Sequence, residues 1–276
     1  MRKVSVILWV LVTLACGQRK LYGPGFYTID SLNLIKNLGP CDREVMPKPS
    51  VQYPRHVAFY ELYKAVNSCR ESLNSKTFKV LEGGQKPVFN FPISEIFPVY
   101  KDADFIYEGL GYNNEAINSL EIILNKLNLK INLFNRDLIK TSKLLGYLSD
   151  TASLLKTLVN EKLREATLEK LRFSKTNEDL NKIVAYFQAA VVGRDRLISE
   201  LSSALMFIAS TSFSRDVILE NLTNNIVGES NVLRRGDYID PHIFSSRYTP
   251  RLEKIMLYYS IMKSRVEIVS CFVDNI

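Results

Sequence analysis

From Ile117 onward, apolar residues return at alternating intervals of four and three. The series is Ile117, Leu120, Leu124, Leu127, Ile131, Phe134, Leu138, Leu145, Leu148, Ala152, Leu155 and Val159, and Thr141 is the one polar residue standing in it. An average interval of 3.5 residues puts these side chains on one stripe of a helix, whereas a half-buried strand would alternate every second residue. The stripe must be buried against other helices, so residues 113–276 are expected to form a helical bundle with long heptad-patterned helices, mainly α in class.

No proline falls between Pro98 and Pro241, so nothing in that stretch forces a helix to end by removing a backbone donor. Unbroken from Ile117 through Phe173, a helix would be on the order of 90 Å long. A fold-back at Gly146 or at Ser149-Asp150-Thr151 is the expected break. Asn113 or Asn114 caps the start, with Glu115 in the first turn, where the helix dipole favours an acid. Thr176 or Asn177, ahead of Glu178 and Asp179, caps a further helix carrying Leu180, Val184, Phe187, Val191, Ile198, Leu201, Leu205 and Ile208, with Arg194 interrupting the spacing. Residues 204–209 are apolar all round, which suits the middle of a bundle. Ser214 opens a shorter helix to about Asn225. After a polar loop from Gly228 to Tyr248, Thr249 and Pro250 start a last helix with Leu252, Ile255, Met256, Tyr259, Met262 and Val266 on its apolar face.

Residues 17–112 have another texture. Eight of the ten prolines lie there, so this part is expected to be a less regular, proline- and aromatic-rich region laid against the bundle. Within it, Val57 to Leu73 has the pattern of an amphipathic helix, with Phe59, Leu62, Tyr63, Val66 and Cys69 on one side. Val88-Phe89-Asn90-Phe91, followed by Ile93 and Ile96, reads as a short strand or an extended segment packed on the helices.

Residues 1–16 have the charged start, short apolar middle and small-residue exit of a secretory signal peptide, too short to span a bilayer. Cleavage near Ala15 to Gly17 gives a secreted chain. Thr13-Leu14-Ala15-Cys16 leaves a second option, Cys16 as the lipidated amino terminus of a bacterial surface protein. No later run is apolar enough for a transmembrane span. Three cysteines follow the leader, Cys41, Cys69 and Cys271, an odd number for an oxidising compartment. Cys41 and Cys69 can close a local loop, leaving Cys271 for a bridge to another molecule; a buried thiol or a different pairing is the alternative.

The chain of 276 residues carries a formal net charge of +7 and a pI near 9.1. This favours acidic partners such as sulfated glycans, while export argues against nucleic acid. Lys126, Lys130, Arg136, Lys140 and Lys143 fall off the apolar seam and form a candidate polyanion surface, the alternative being a solvated helix face. Asn221-Leu222-Thr223 is a glycosylation sequon in form.

Catalytic patterns are scarce. His56 and His242 are the two histidines, too few for a histidine-rich zinc site within one chain, so no metal and no cofactor is expected. Ser153-Leu154-Leu155-Lys156 has the spacing of some acyl-transfer nucleophiles but lacks the companion motifs. Arg235-Gly236-Asp237, between two expected helices, is the one short recognition motif. Its guanidinium can pair with an acidic pocket, its glycine permits a tight exposed turn, and its carboxylate can complete a receptor metal's coordination.

Leader, basic balance, size, odd cysteine and the Arg235-Gly236-Asp237 loop together resemble, in overall build, the polar tube and spore wall proteins that microsporidian spores secrete as an invasion apparatus. The resemblance implies an extracellular structural component, assembled with other structural proteins of the same apparatus and cross-linked through disulfides at Cys271 or its fellows. It also implies contact with a host-cell receptor. The expected function is therefore non-enzymatic structure and adhesion. The alternatives are a bacterial surface lipoprotein binding a host ligand, and a secreted hydrolase with an unrecognised site.

Overall fold

The computed structural model describes residues 54–82, 89–100, 103–129, 135–211, 214–228 and 249–276, with backbone alone over 75–82. These residues form nine α-helices and no strand. In chain order they are α1 (Arg55–Glu82), α2 (Ile93–Ile96), α3 (Asp104–Gly109), α4 (Asn114–Lys126), α5 (Arg136–Thr157), α6 (Glu165–Ser174), α7 (Asn177–Thr211), α8 (Arg215–Leu222) and α9 (Pro250–Asp274). Wider π-helical turns extend α5 over Leu158–Lys162 and α8 over Thr223–Val227.

The helix starts follow from local side chains. Asn113 accepts from the Ala116 N–H at α4, Ser214 from Val217 at α8, and Thr249 from Leu252 at α9, where Pro250 takes the first helical position. Thr176 accepts from Asp179 N–H at the head of α7. Each satisfies a donor that the first turn leaves without an intrahelical partner.

The described seam residues are buried or partly buried, but the seam belongs to two helices. α4 ends at Lys126 and α5 begins at Arg136, so the break lies earlier than the one expected at Gly146 or Ser149–Thr151, which lie inside α5. Side-chain amides and one acid explain the position. Asn135 caps Asp137 N–H, its amide donates to Asn128 O at 2.5 Å, and the Asp137 carboxylate accepts from Asn128 N–H at 2.8 Å. The two helix ends are thus tied to each other. Where a strand or extended segment was expected, Phe91, Ile93 and Phe97 are buried along an extended entry and the single turn α2.

The buried apolar side chains fall into two clusters, one at each end of the molecule. The first gathers α2, α3, α4, the front of α5, the back of α7, α8 and the front of α9. The second gathers α1, the end of α5 with its π-turn, α6, the front of α7 and the back of α9. α5, α7 and α9 run through both, α7 in the opposite sense to the other two, and α9 packs most extensively on α7. Gly193 lets them approach: a Cβ there would stand 3.1 Å from the Met262 backbone nitrogen. α1 and α3 contribute to the same two clusters, where Leu62, Val66, Ile106 and Leu110 are fully buried.

Between the clusters, each through-running helix places polar residues: Thr151 on α5, Arg194 on α7 and Arg265 on α9, all buried. Arg194 Nε donates to Thr151 O at 2.9 Å and its terminal nitrogen to Glu108 O at 3.2 Å, joining α7 to α5 and α3.

Candidate functional site

Several of the described basic residues share a local role. Helix carboxyl ends leave carbonyls without intrahelical donors and carry the negative end of the dipole. Cations from elsewhere in the chain meet those ends. Arg70 on α1 donates to Val159 O at 2.7 Å and Leu163 O at 3.1 Å, beyond α5. Arg55 donates to Arg172 O and Phe173 O at the end of α6. Lys175 reaches Asn275 O past α9 at 3.0 Å. On α5, Lys140 donates to Gly228 O and Lys143 to Val227 O, both at the π-turn after α8.

This redistributes the candidate polyanion surface. Lys140 is buried, and Lys143 is half-buried, its pKa drawn below the ordinary lysine value by desolvation. Both face inward, away from a solution ligand. Lys126 and Arg136 are exposed, at the end of α4 and the start of α5. Lys130 lies outside the described residues. The four described residues therefore do not form one face.

The other candidates are placed as follows. Arg235, Gly236 and Asp237 lie outside the described residues, as do Cys16, Cys41 and His242. Cys69 is a free, buried cysteine, so the expected Cys41–Cys69 loop is not closed. Burial pushes its thiol up to about 11. Cys271, expected to be left over for cross-linking, is disulfide-bonded to a partner outside the described residues. Asn221 sits on α8, within the helix expected from Ser214, and its side-chain and backbone oxygens accept from the Asn225 amide. The sequon hydroxyl of Thr223 donates to Leu219 O at 2.8 Å. The acceptor pair is thus engaged in helix-terminal bonding. Ser153 donates to Ser149 O, and Lys156 pairs with Glu108 at 2.7 Å, so the Ser-x-x-Lys residues face different partners. His56 is exposed on α1.

Two polar groups were missed from sequence. Asp137, with no exposed surface, accepts from Arg215 Nε at 2.8 Å and its terminal nitrogen at 2.9 Å, besides Asn128 N–H. Its fork-to-carboxylate pairing joins α5 to α8. The second group borders the first apolar cluster, to which Tyr147 belongs and against which Tyr259 packs. Tyr259 O–H donates to Asp150 at 2.5 Å, Lys263 stands 3.8 Å from the same carboxylate, and the Tyr147 and Tyr259 rings meet at 4.7 Å. Burial, then the hydrogen bond to Asp150, raises the Tyr259 phenol far above its ordinary value; burial alone pushes Tyr147 up to about 12. A phenol so raised is a donor, not a base. Tyr259 and Lys263, one turn apart, were the available signal, but nothing local identifies Asp150 as their partner.

Among the described residues no group of three or more His, Cys, Asp or Glu converges as a metal site, and no helix is long and apolar enough to cross a membrane. Comparison of the chain with protein-family models, curated proteins and solved structures finds no match in any of the three.

Proposed function

We propose that this is a secreted, non-enzymatic helical scaffold that works by contact within an extracellular assembly of the polar tube or spore wall kind. The observation that carries the reading is the use of the bundle's interior ionisable groups. Arg194, Lys140, Lys175 and the Asp137–Arg215 pair are engaged on backbone carbonyls or on one another at the junctions of helices. Such groups hold one helix arrangement rigidly, which serves a component that transmits contact. The leader at residues 1–16 supports export, and the excess of basic residues supports acidic structural neighbours or a sulfated host surface. Arg235-Gly236-Asp237 is the proposed receptor contact.

Native protein should be recovered from the insoluble extracellular structure and cross-link there to its structural neighbours. Recovery as a free monomer that turns over a substrate would overturn the reading. Asp237→Glu should abolish cell binding without changing helicity, and unchanged binding would remove that loop as the contact. Thr13-Leu14-Ala15-Cys16 favours a second reading, a lipid-anchored bacterial surface protein that binds a host ligand. Mass analysis of the native amino terminus separates the two: a start near Gly17 or Gln18 supports secretion, and a diacylglycerol on Cys16 supports the anchor.

A further inference from the structure

We propose that the surface where α1 meets the end of α6 is the contact for a sulfated glycan, with a sulfate set against Arg55 and Arg172 and a sugar face against Phe173. The inference rests on the acidic-partner reading above and gives that partner a place, which Lys140 and Lys143, turned inward, do not provide.

Rings and a guanidinium succeed one another at this junction. The Phe59 and Tyr63 rings, one turn apart on α1, stand 6.3 Å from each other. The Arg172 guanidinium of α6 lies 5.2 Å from the Phe59 ring and 5.5 Å from the Phe173 ring. Contact with two rings holds a planar cation in one orientation. Arg55 is held differently. One of its terminal nitrogens donates to Arg172 O at 2.8 Å and Phe173 O at 3.0 Å, which fixes a second guanidinium beside the first and offsets the negative end of α6.

What these cations leave unused points to a ligand. Arg55 and Arg172 are exposed, and among the described residues their other N–H groups meet no protein acceptor at hydrogen-bond distance. The ion-pair partner of Arg172 is Glu169, 3.7 Å away between two half-exposed side chains, and such a pair contributes little in water. Phe173 is 74% exposed although it stands in a helix. Both guanidiniums are already ordered, so an arriving oxyanion loses little affinity to fixing them. Their N–H forks suit sulfate oxygens, and the open ring offers a flat apolar surface to a pyranose. The net charge of +7 complements a polyanion. Glu169 separates this surface from a membrane contact: its carboxylate accepts from a sugar hydroxyl, whereas beside a ring entering lipid it would have to be desolvated.

Full-length protein is titrated with a heparin oligosaccharide, with the same oligosaccharide after desulfation, and with phosphatidylserine vesicles, while circular dichroism checks that each variant is folded. The native chain should bind the sulfated oligosaccharide and lose it on desulfation. Phe173→Ala, which removes an exposed ring, should weaken binding about fivefold. Arg172→Lys, which keeps the charge and loses the planar stack, should weaken it about tenfold; if that variant fails to fold, Phe173→Ala carries the test. Arg136→Ala removes an exposed charge on α5 and should change affinity by less than about twofold. Native binding that ignores Phe173→Ala and Arg172→Lys overturns the proposal, and the acidic-partner reading then stands on another surface. A loss in Arg136→Ala equal to that in Arg172→Lys reduces the contact to diffuse charge and overturns it as well. No binding by the native chain removes both the site and the sulfated partner. Vesicle binding lost in Phe173→Ala, with oligosaccharide binding intact, makes the surface a membrane contact and overturns the glycan.

Discussion

Gly146 and Gly109 show how differently one residue type acts in this fold. Gly146 lies inside α5, and a Cβ there would meet nothing within 4 Å. Gly146→Ala should therefore stabilise the protein by about 0.5–1 kcal/mol, through helix propensity and a less flexible unfolded chain, read as a raised denaturation midpoint. Gly109 closes α3 against α5, and a Cβ there would stand 2.5 Å from Leu148 O. Gly109→Ala must push two backbones apart, and a loss of about 3 kcal/mol or more is expected in the same experiment. Cys69 gives a pH signature. Its folded pKa, about 11, lies above its ordinary value of 9.0 because burial disfavours the thiolate. Between those values the unfolded chain has released a proton that the folded chain retains, so stability falls as pH rises. Denaturation curves for the native chain should lose on the order of 2–3 kcal/mol across that window relative to Cys69→Ala. Parallel curves for the two proteins would show that the thiol is not buried.

At the scale of elements, the junctions depend on which charge meets which helix end. Lys140→Met removes the donor to Gly228 O while keeping most of the apolar stem, and should lower stability by about 1–3 kcal/mol with retention on a heparin column unchanged. Reduced retention with stability intact would restore the outward-facing basic surface that the sequence suggested. Asp137→Asn retains one acceptor but loses the charge facing Arg215, so the tie to Asn128 at the end of α4 and the contact with α8 should loosen together. Hydrogen exchange is expected to accelerate at Asn128 and through α8 and to stay unaltered in α1. The caps at Asn113, Thr176, Ser214 and Thr249 were legible because a capping side chain and its N–H are three residues apart. The cap at Asn135 is equally local, but the unbroken apolar repeat around it hid the interruption.

Across the whole molecule, the two apolar clusters are separated by Thr151, Arg194 and Arg265, while α5, α7 and α9 cross that boundary. Shared helices couple the ends, and the polar boundary weakens the coupling. Native-state hydrogen exchange should accordingly resolve two levels of protection, with α1 and α6 opening before the mid-sections of α7 and α9. Uniform protection in all helices would show a single cooperative unit. Arg194→Met, which leaves Thr151 O and Glu108 O without that donor, should bring the two levels further apart.

Period and capping chemistry are properties of neighbouring residues, so the amino-acid order alone determined that the described residues are mainly helical, where several helices begin, and much of the buried stripe on α4, α5, α7 and α9, though Phe207, in the stretch assigned to the bundle's middle, is exposed. Three matters were decided only in three dimensions: the break between α4 and α5, the inclusion of α1 to α3 in the shared core, and the inward turn of Lys140 and Lys143. The second and third depend on chain folded from far away in sequence, and the first on side chains two to nine residues apart whose pairing the apolar repeat conceals. A lysine beside water and a lysine beside an unpaired carbonyl have the same local sequence, and only the packed arrangement distinguishes them.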